Sequence, residues 1–239
     1  MKSIIRSKIH AIASDDSFFS DRTLKRDNLI LLFSIVSLGM VFPLVGNNLI
    51  RDWLFDIIIS AIIISGVTSL KFQKEKFIRL TYFGLLTFTL SWIQHFVNHD
   101  ITKLISFSTL IIFLIYVTYS MIKHVAVTKT INSVMILNAI NSYLLIGVIG
   151  AFLFISVDVG YFLFGNAEHG LNFNNIVDPT FHDYIYFSFV TITTLGYGDI
   201  HPIIPVAKSL TITLSLTGQL YLTILVAMLM GKYLAQHKE

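Results

Sequence analysis

The sequence predicts an all-α membrane protein with six transmembrane helices and one shorter helix that enters the membrane without crossing it. Three observations lead to this fold class. Of the 239 residues, 54% are hydrophobic and only 13% are charged, whereas a soluble domain carries roughly a quarter charged residues. The apolar residues form separate runs of helical length. The basic residues are distributed unevenly between those runs.

Six apolar segments have close to the ~20 residues that a helix needs to cross a bilayer. They lie at about 28–45, 53–70, 78–97, 104–122, 142–164 and 205–231. A seventh stretch, 180–193, would reach only about 21 Å as a helix, which is too short to span. We therefore expect a re-entrant helix there, with protein around the backbone that follows it.

The basic residues predict the orientation of the chain. Placing the amino terminus inside puts fourteen of the 17 Lys and Arg residues on the cytoplasmic side. The three that remain outside are Arg51, Lys103 and Lys208. This asymmetry follows the positive-inside rule, so we expect a multi-pass protein of the cell membrane with both termini cytoplasmic. Residues 1–27 lack the long apolar run of a signal peptide and are expected to form a cytoplasmic N-terminal segment.

The connection into the fifth apolar segment allows two interpretations. The uncharged run that precedes Asp158 would measure about 42 Å as a single helix, more than the ~30 Å hydrocarbon core. Its first half is punctuated by Asn132, Asn138 and Asn141. One interpretation is an amphipathic linker helix at about 126–140 on the cytoplasmic face, followed by a spanning helix. The other is one long tilted helix.

The most informative segment is Thr193-Thr194-Leu195-Gly196-Tyr197-Gly198-Asp199. A bare cation crosses a membrane only where other groups replace its water shell, and rings of backbone carbonyls can do so. The backbone must then adopt unusual dihedral angles, which Gly196 and Gly198 allow. Tyr197 would point away from the ion path and pack behind the segment. Thr194 would add a hydroxyl at its inner mouth.

The short helix in front of this segment has its own signals. Asp178 followed by Pro179 is typical of an N-cap and a first helical residue. The carboxyl end of the helix, near Thr191, would direct the negative end of its dipole at a cation. An aromatic run would wedge the helix between the spans, namely Tyr184, Tyr186, Phe187 and Phe189.

These residues carry a resemblance to a known family. The signature of tetrameric potassium channels, T-x-T-T-V-G-Y-G-D, resembles Thr191-Ile192-Thr193-Thr194-Leu195-Gly196-Tyr197-Gly198-Asp199, and the similarity extends over about 143–230. The chain looks like a bacterial-type six-span member. The resemblance implies a homotetramer around one pore. It also implies a four-helix peripheral domain over 28–125 and a pore domain over 126–239, with linker helix, outer helix, pore helix, filter and inner helix. The permeant K⁺ would be bound by Thr194, Leu195, Gly196, Tyr197 and Gly198.

The resemblance also assigns supporting roles. Filter support would come from Asp199, Tyr186 and Thr193. Leu195 replaces the usual valine, and Tyr186 stands where many relatives carry a tryptophan. The Tyr186 hydroxyl could still donate to Asp199. Gly218 matches a gating-hinge glycine, and an alanine there should cost little in helix propensity but stiffen the helix at that point. A candidate inner constriction, inferred from helical spacing and motif offset, consists of Leu222, Val226 and Met230.

Other functions fit these residues less well. The run Gly196–Asp199 formally matches the G-x-G-D motif of intramembrane aspartyl proteases, but the chain contains no Tyr-Asp pair for a second catalytic residue. The protein is therefore not expected to be an enzyme. A turn between helices also uses Gly and Asp, but the preceding threonines and aromatic helix favour a filter. An accessory subunit that never conducts is disfavoured because the filter residues are all present.

No cofactor, nucleic acid or soluble partner is expected, and K⁺ and membrane lipid are the expected ligands. The absence of Cys excludes disulfides and thiolate metal sites. His95 and His99 would form at most a weak metal site. Asp56 lies close enough to a span end to be expected to reach water. Three further acids join Asp199 on the outer face, where solvated loop positions are the usual explanation and cation attraction stays open: Asp158, Glu168 and Asp178.

The fourth apolar segment argues against steep voltage gating. The run Leu104 to Ile122 contains no Lys or Arg. A voltage sensor needs several such residues at three-residue intervals, because each charge crossing the field contributes only about 2.3 kcal/mol per 100 mV. The first four spans are compatible with bracing the pore or with sensing lipid, tension or a ligand.

Overall fold

The computed structural model describes residues 21–41, 44–45, 48–71, 74–97, 99–163, 169–174, 176 and 179–236. Within these ranges the chain forms seven helices and two short strands. The helices are α1 (Asp21–Met40), α2 (Asn48–Thr68), α3 (Lys74–Phe96), α4 (Asp100–Val127), α5 (Ser133–Leu163), α6 (Phe181–Ile192) and α7 (Pro205–Gln236). The strands are β1 (Leu171–Asn172) and β2 (His201–Pro202).

Each of the six predicted spans falls mainly within one long helix, and the predicted re-entrant stretch contains α6. Among the described residues, three helices are long and apolar enough to cross a membrane by length and composition: α4, α5 and α7. The shorter helices α1 and α2 have three or more charged residues within any stretch of bilayer-spanning length, as α2 shows with Arg51, Asp52 and Asp56. The fold is therefore all-helical with at least three segments suited to a bilayer.

The prediction of a separate linker helix at 126–140 is wrong. Residues 128–132 are not helical, and α5 then runs unbroken for 31 residues, as in the alternative of one long helix. The side chain of Asn132 accepts a hydrogen bond from Met135 N at 2.8 Å, which satisfies one of the free N–H groups at the start of α5. Asn138 and Asn141 are fully buried instead of facing water. The amide of Asn141 donates to the backbone oxygen of Asn28 in α1 at 2.9 Å.

Helix α5 is the central element, since it packs against α1, α4, α6 and α7. Its fully buried Phe152 joins three neighbours at ring-centroid distances of 5.7 Å to Phe107 of α4, 4.7 Å to Phe181 of α6 and 6.4 Å to Phe55 of α2. Buried aromatic contacts of this kind contribute beyond the area they remove from water. They fix the start of α6 against the helices of the amino-terminal half.

A second, smaller apolar cluster lies where α4 ends and α5 begins. Its buried members are Val125, Met135 and Ala139, and the carboxyl-terminal part of α7 packs against them through Leu225, Met228 and Leu229. The junction between the two halves of the chain and the end of α7 therefore share one contact surface.

Candidate functional site

Helix α6 begins two residues later than the sequence indicated. Thr180 is the N-cap and Phe181 the first helical residue, so the prediction of Asp178 as cap and Pro179 as first residue is wrong. The carboxylate of Asp183 accepts from Thr180 N at 2.7 Å and from the Thr180 hydroxyl at 3.0 Å. These two bonds from the N-cap to the third helical residue stabilise a helix start at Thr180, in place of the start that the Asp-Pro pair indicated.

Helix α6 is held along its carboxyl-terminal half by α5. The hydroxyl of Tyr143 in α5 donates to Ile192 O at 3.2 Å. The Ser188 hydroxyl donates to Gly147 O at 2.6 Å. Between the same two helices, Phe154 and Phe187 meet edge to face at 4.9 Å. The end of α6 is therefore fixed in position where the motif segment begins.

The backbone after α6 takes an unusual path. Positive φ recurs at every second residue, at Thr194 (61°), Gly196 (56°) and Gly198 (80°). For the β-branched Thr194 this is a true outlier, of the kind that concentrates at functional sites. Left-handed residues alternating with ordinary ones turn successive carbonyls towards one side, whereas a regular strand alternates them.

The N–H groups of this segment point back to α6. Val190 O accepts from Leu195 N at 3.1 Å and from Gly196 N at 3.2 Å, and Thr191 O accepts from Thr194 N at 3.0 Å. The last carbonyls of the helix therefore hold the amide side of the segment. The side chains of residues 193–199 are exposed in the single chain, with Leu195 at 55% and Tyr197 at 67%.

Asp199 and Tyr186 are brought together as expected. The Tyr186 hydroxyl donates to Asp199 Oδ2 at 2.6 Å. This hydrogen bond lowers the pKa of Asp199 and raises the pKa of Tyr186 to about 12. Thr193, the third expected supporter, donates its hydroxyl to Phe189 O at 2.7 Å and ends the helix.

The comparisons with known proteins point to the same half of the chain. Residues 142–235 match the family model of ion channels. The match covers less than half of the 239 residues, and it includes most of α5, all of α6, the segment with alternating φ and nearly all of α7. It supports an ion channel function. No curated protein and no solved structure matches the chain.

Within the matched stretch, Gly218 lies where α7 passes the end of α6. A Cβ atom at this position would meet the Cγ1 of Ile192 and would lie 2.7 Å from the Ile192 carbonyl oxygen. An alanine that costs little in helix propensity would therefore still be opposed by packing, because the obstacle includes the Ile192 backbone as well as its side chain. Helix α7 is continuous through Gly218, and a role as a hinge stays a prediction.

The two faces of α7 differ. Leu214, Gly218 and Tyr221 face the other helices, and the Tyr221 hydroxyl donates to Ala139 O of α5 at 2.7 Å. The predicted constriction residues lie on the other, exposed side, with Leu222 at 40%, Val226 at 62% and Met230 at 57% exposure. The structure thus places these three on one side of α7 that is uncovered in the single chain.

The remaining candidates have mixed outcomes. Asp158 and Asp56 are 2% and 4% exposed, so neither is the solvated or water-reaching acid that the sequence suggested. Glu168, Asp178 and the side chain of His95 lie outside the described residues. His99 accepts a hydrogen bond from Ile101 N at the start of α4. The described residues contain no group of three His, Asp or Glu side chains that could hold a metal ion.

Sequence reasoning missed two sets of contacts. Asp158 is bound by Tyr184, His169 and Gly170. Lys232 is bound by the carbonyls at the end of α4. A carboxylate inside an otherwise uncharged helix was a usable signal for the first, since such a group needs partners. The second had no signal, because a backbone carbonyl can be presented by any residue.

Proposed function

We propose that the chain is the pore-forming subunit of a potassium-selective channel, in which four copies surround one conduction path. The observation that carries this proposal is the backbone of 194–198, where φ is positive at every second residue directly after the end of α6. Such a segment can present a ladder of carbonyl oxygens to a cation that has lost its water. The ion channel match over 142–235 supports conduction. The Gly196-Tyr197-Gly198 pattern supports selectivity for K⁺.

Several copies are needed because one segment offers oxygens from one side only. Helix α7 supports such an assembly, because most of it is uncovered in the single chain. Only 11% of its most apolar 18-residue stretch is buried, against 56% for α4 and 44% for α5. Its exposed face carries a series of large apolar side chains, including Leu216, Leu220, Ile224 and Val226. In a homotetramer the exposed Tyr197 ring would pack behind the filter against a neighbour.

The mechanism is passive. K⁺ exchanges water for the carbonyls of Thr194, Leu195, Gly196 and Tyr197, with Gly198 at the outer end, and neighbouring ions displace one another. The carboxyl end of α6 lies beside this path, and its dipole favours a cation there. The hydrogen bond between Tyr186 and Asp199 would hold the outer end of the filter in place.

The wider arrangement is part of the same proposal. The protein would lie in the cell membrane with six crossings and both termini cytoplasmic, as the distribution of Lys and Arg indicates. Helix α7 would line the cavity, with Gly218 as a point of bending and a constriction at Leu222, Val226 and Met230. K⁺ is the only ligand this mechanism requires.

The test is electrical recording from purified protein in planar bilayers with a K⁺ gradient. We expect reversal potentials in mixed K⁺ and Na⁺ that follow K⁺, and loss of selectivity or conduction on replacing Tyr197 or Gly198. Reversal potentials that follow both cations equally, or that ignore these two changes, would overturn the assignment. Absence of any conductance would overturn it as well.

Gating by voltage should be weak. No Lys or Arg lies between Lys103 and Lys123, so α4 carries no row of charges to move through the field. A conductance–voltage curve in symmetric K⁺ should show only gentle curvature. A change in open probability by a factor of e every few millivolts would contradict this part of the proposal.

A further inference from the structure

A groove runs between α1 and α6 beside the proposed filter. Its volume is about 370 Å³ and its walls are almost wholly apolar. Helix α1 contributes Ile35, Val36, Gly39 and Met40, and Leu195 of the proposed filter also lines the groove. Among the described residues that line it, none is Lys, Arg, Asp or Glu. The amino-terminal half of the chain, which lies outside the ion channel match, therefore shares a surface with the filter.

The wall of the groove on α1 is uncovered. Nothing lies within 4 Å of the Cβ position of Gly39, and the neighbouring Val36 and Met40 are 38% and 69% exposed. In its first half the same helix is held to its own subunit, because Asn28 O accepts the amide of Asn141 in α5. Helix α1 is thus anchored at one end and presents an open apolar surface at the other.

Helices α6 and α7 run side by side in the same direction. A Cβ atom at Gly150 of α5 would touch both Ser188 of α6 and Leu214 of α7, so these two side chains lie at one level. Four residues further along each helix, Ile192 lies against Gly218. The first half of α7 therefore lies at the same depth as α6, and so at the depth of the groove.

This first half of α7 has an exposed face that is compatible with the groove. Ile212 and Leu216, one turn apart, are 61% and 58% exposed. The adjacent hydroxyls of Thr213 and Thr217 donate within the helix, to Ser209 O at 2.9 Å and to Thr213 O at 2.7 Å. The face can therefore enter an apolar groove without leaving a hydroxyl unpaired, which would be costly.

The symmetry of a ring brings these two surfaces together. Each copy in a ring meets its two neighbours with two different surfaces, which must fit each other. Rotation about the ring axis also keeps every residue at its own depth. The groove and the face of α7 are concave and convex, both apolar, and at one depth. An acyl chain of a lipid could fill the groove too, but it would leave the face of α7 to be covered separately.

We infer that the groove between α1 and α6 holds the first half of α7 of a neighbouring copy. The inference rests on the proposed assembly of four copies, and it adds α1 to the contact between their pore-forming halves. Each α7 is then packed between α6 of its own subunit and α1 of the next. A displacement of α1 reaches the adjacent subunit's inner helix directly, at the level of the filter.

The first test uses disulfide formation, since the chain has no Cys of its own. The double variant Val36→Cys and Ile212→Cys places one thiol in the groove and one on α7. Oxidation in liposomes should give a ladder of dimers, trimers and tetramers on denaturing gels. The control is Ile30→Cys with Ile212→Cys, which should stay monomeric. Ile30 is 46% exposed, but it lies outside the groove and about 9 Å away along α1.

The second test fills the groove. Gly39→Leu should obstruct a neighbouring helix and leave the fold of its own subunit intact, because the space around Gly39 is empty. Gly160→Leu is the matched control, with equal space in α5 outside the groove. The dissociation constant of the assembly, measured from its mass in detergent at several concentrations, should rise roughly tenfold or more in Gly39→Leu. It should stay unchanged in Gly160→Leu.

The outcomes separate this contact from the channel proposal. Tetramers that carry K⁺ but give no product between Val36→Cys and Ile212→Cys overturn the inference alone, as does a product within one copy. Unchanged assembly in Gly39→Leu also overturns it, and is the result expected if an acyl chain fills the groove. A monomeric wild type overturns both proposals. If the ladder forms but wild type carries no K⁺, the channel proposal fails and the contact stands.

Discussion

Lys232 Nζ lies 2.6 Å from the carbonyl oxygen of Thr128, which fastens the end of α7 to the end of α4. The same ammonium donates to Val125 O at 2.5 Å and to Ala126 O at 3.2 Å. These oxygens belong to the last turn of α4 and to its C-cap Thr128, where a helix leaves its carbonyls without partners in its own backbone. A cation at this end also interacts favourably with the helix dipole. One helix therefore caps another across the junction of the two halves.

Removing this cap should destabilise the junction. Lys232→Met keeps most of the side-chain length but cannot donate, and we expect the free energy of unfolding to fall by about 1–2 kcal/mol. Thermal melting of the purified protein measures the change. Lys123→Met is the matched control, because Lys123 is exposed near the same end of α4. An equal loss in both variants would show that charge alone, and not the cap, is responsible.

Gly218 should not tolerate a methyl group. Gly218→Ala places a Cβ against the Ile192 carbonyl, and overpacking of this kind costs about 1–3 kcal/mol. Gly231→Ala is the control in the same helix, since nothing lies within 4 Å of its Cβ position. There the change should be neutral or stabilising by up to about 1 kcal/mol. Melting temperatures that move together in the two variants would contradict the close approach.

Gly196 should be needed for its backbone conformation and not for space. Its φ is +56° and nothing lies within 4 Å of its Cβ position. Gly196→Ala should abolish most K⁺ flux while leaving the melting temperature within a few degrees, since left-handed strain costs about 1–2 kcal/mol at one residue. Gly160→Ala is the control, because Gly160 has equal space and no positive φ. Normal flux in Gly196→Ala would remove the backbone argument for the filter.

The contact between Tyr186 and Asp199 should resist mild acid. Because the hydrogen bond lowers the pKa of Asp199 from 3.8, the contact is complete above that value and is lost as pH falls through the lowered pKa. Acidification to about pH 5 should therefore leave it intact. In Tyr186→Phe the acid midpoint of K⁺ flux should move to higher pH, while Tyr161→Phe should leave it unchanged. Identical midpoints in all three proteins would show that this contact does not control the flux.

The amino-terminal helices should pack against the second half of their own subunit. The amide of Asn141 in α5 lies 2.9 Å from Asn28 O in α1, and the chain has no Cys of its own. The double variant Asn28→Cys and Asn141→Cys should form a disulfide on oxidation and still migrate as a monomer in denaturing gels. Each single variant is the control. A ladder of cross-linked oligomers from the double variant would place α1 against a neighbouring copy.

The sequence predicted the helical order well, because long apolar runs and short polar breaks leave little choice of secondary structure. The sequence placed the break between helices near residue 140, whereas it lies at 128–132. The reason is that Asn138 and Asn141 were interpreted as the water-facing side of an amphipathic helix. Their amide groups are buried against His124 and Asn28 instead. Periodicity cannot distinguish a polar side chain that faces water from one that meets a partner on another helix.

The candidate site was predictable where it depends on local chemistry. Glycines at alternate positions indicated the positive φ of Gly196 and Gly198, and the family resemblance indicated the pairing of Tyr186 with Asp199. Contacts between distant segments were not predictable, because Gly170 and Ile203 meet only once α5 and α6 are packed together. The start of α6 was misplaced by two residues, since Asp-Pro and Thr180 offer competing caps.

The non-helical connection at 128–132 sets how a movement of the amino-terminal helices can reach α7. So short a link spans at most about 20 Å even when fully extended, and it contains no helix that could act as a rigid lever. Any displacement of α4 must therefore pass sideways, through Val125 and Lys232 into the end of α7 and through the long seam between α4 and α5. In this molecule the two halves exchange force by contact along their length and not by a pull on the chain between them.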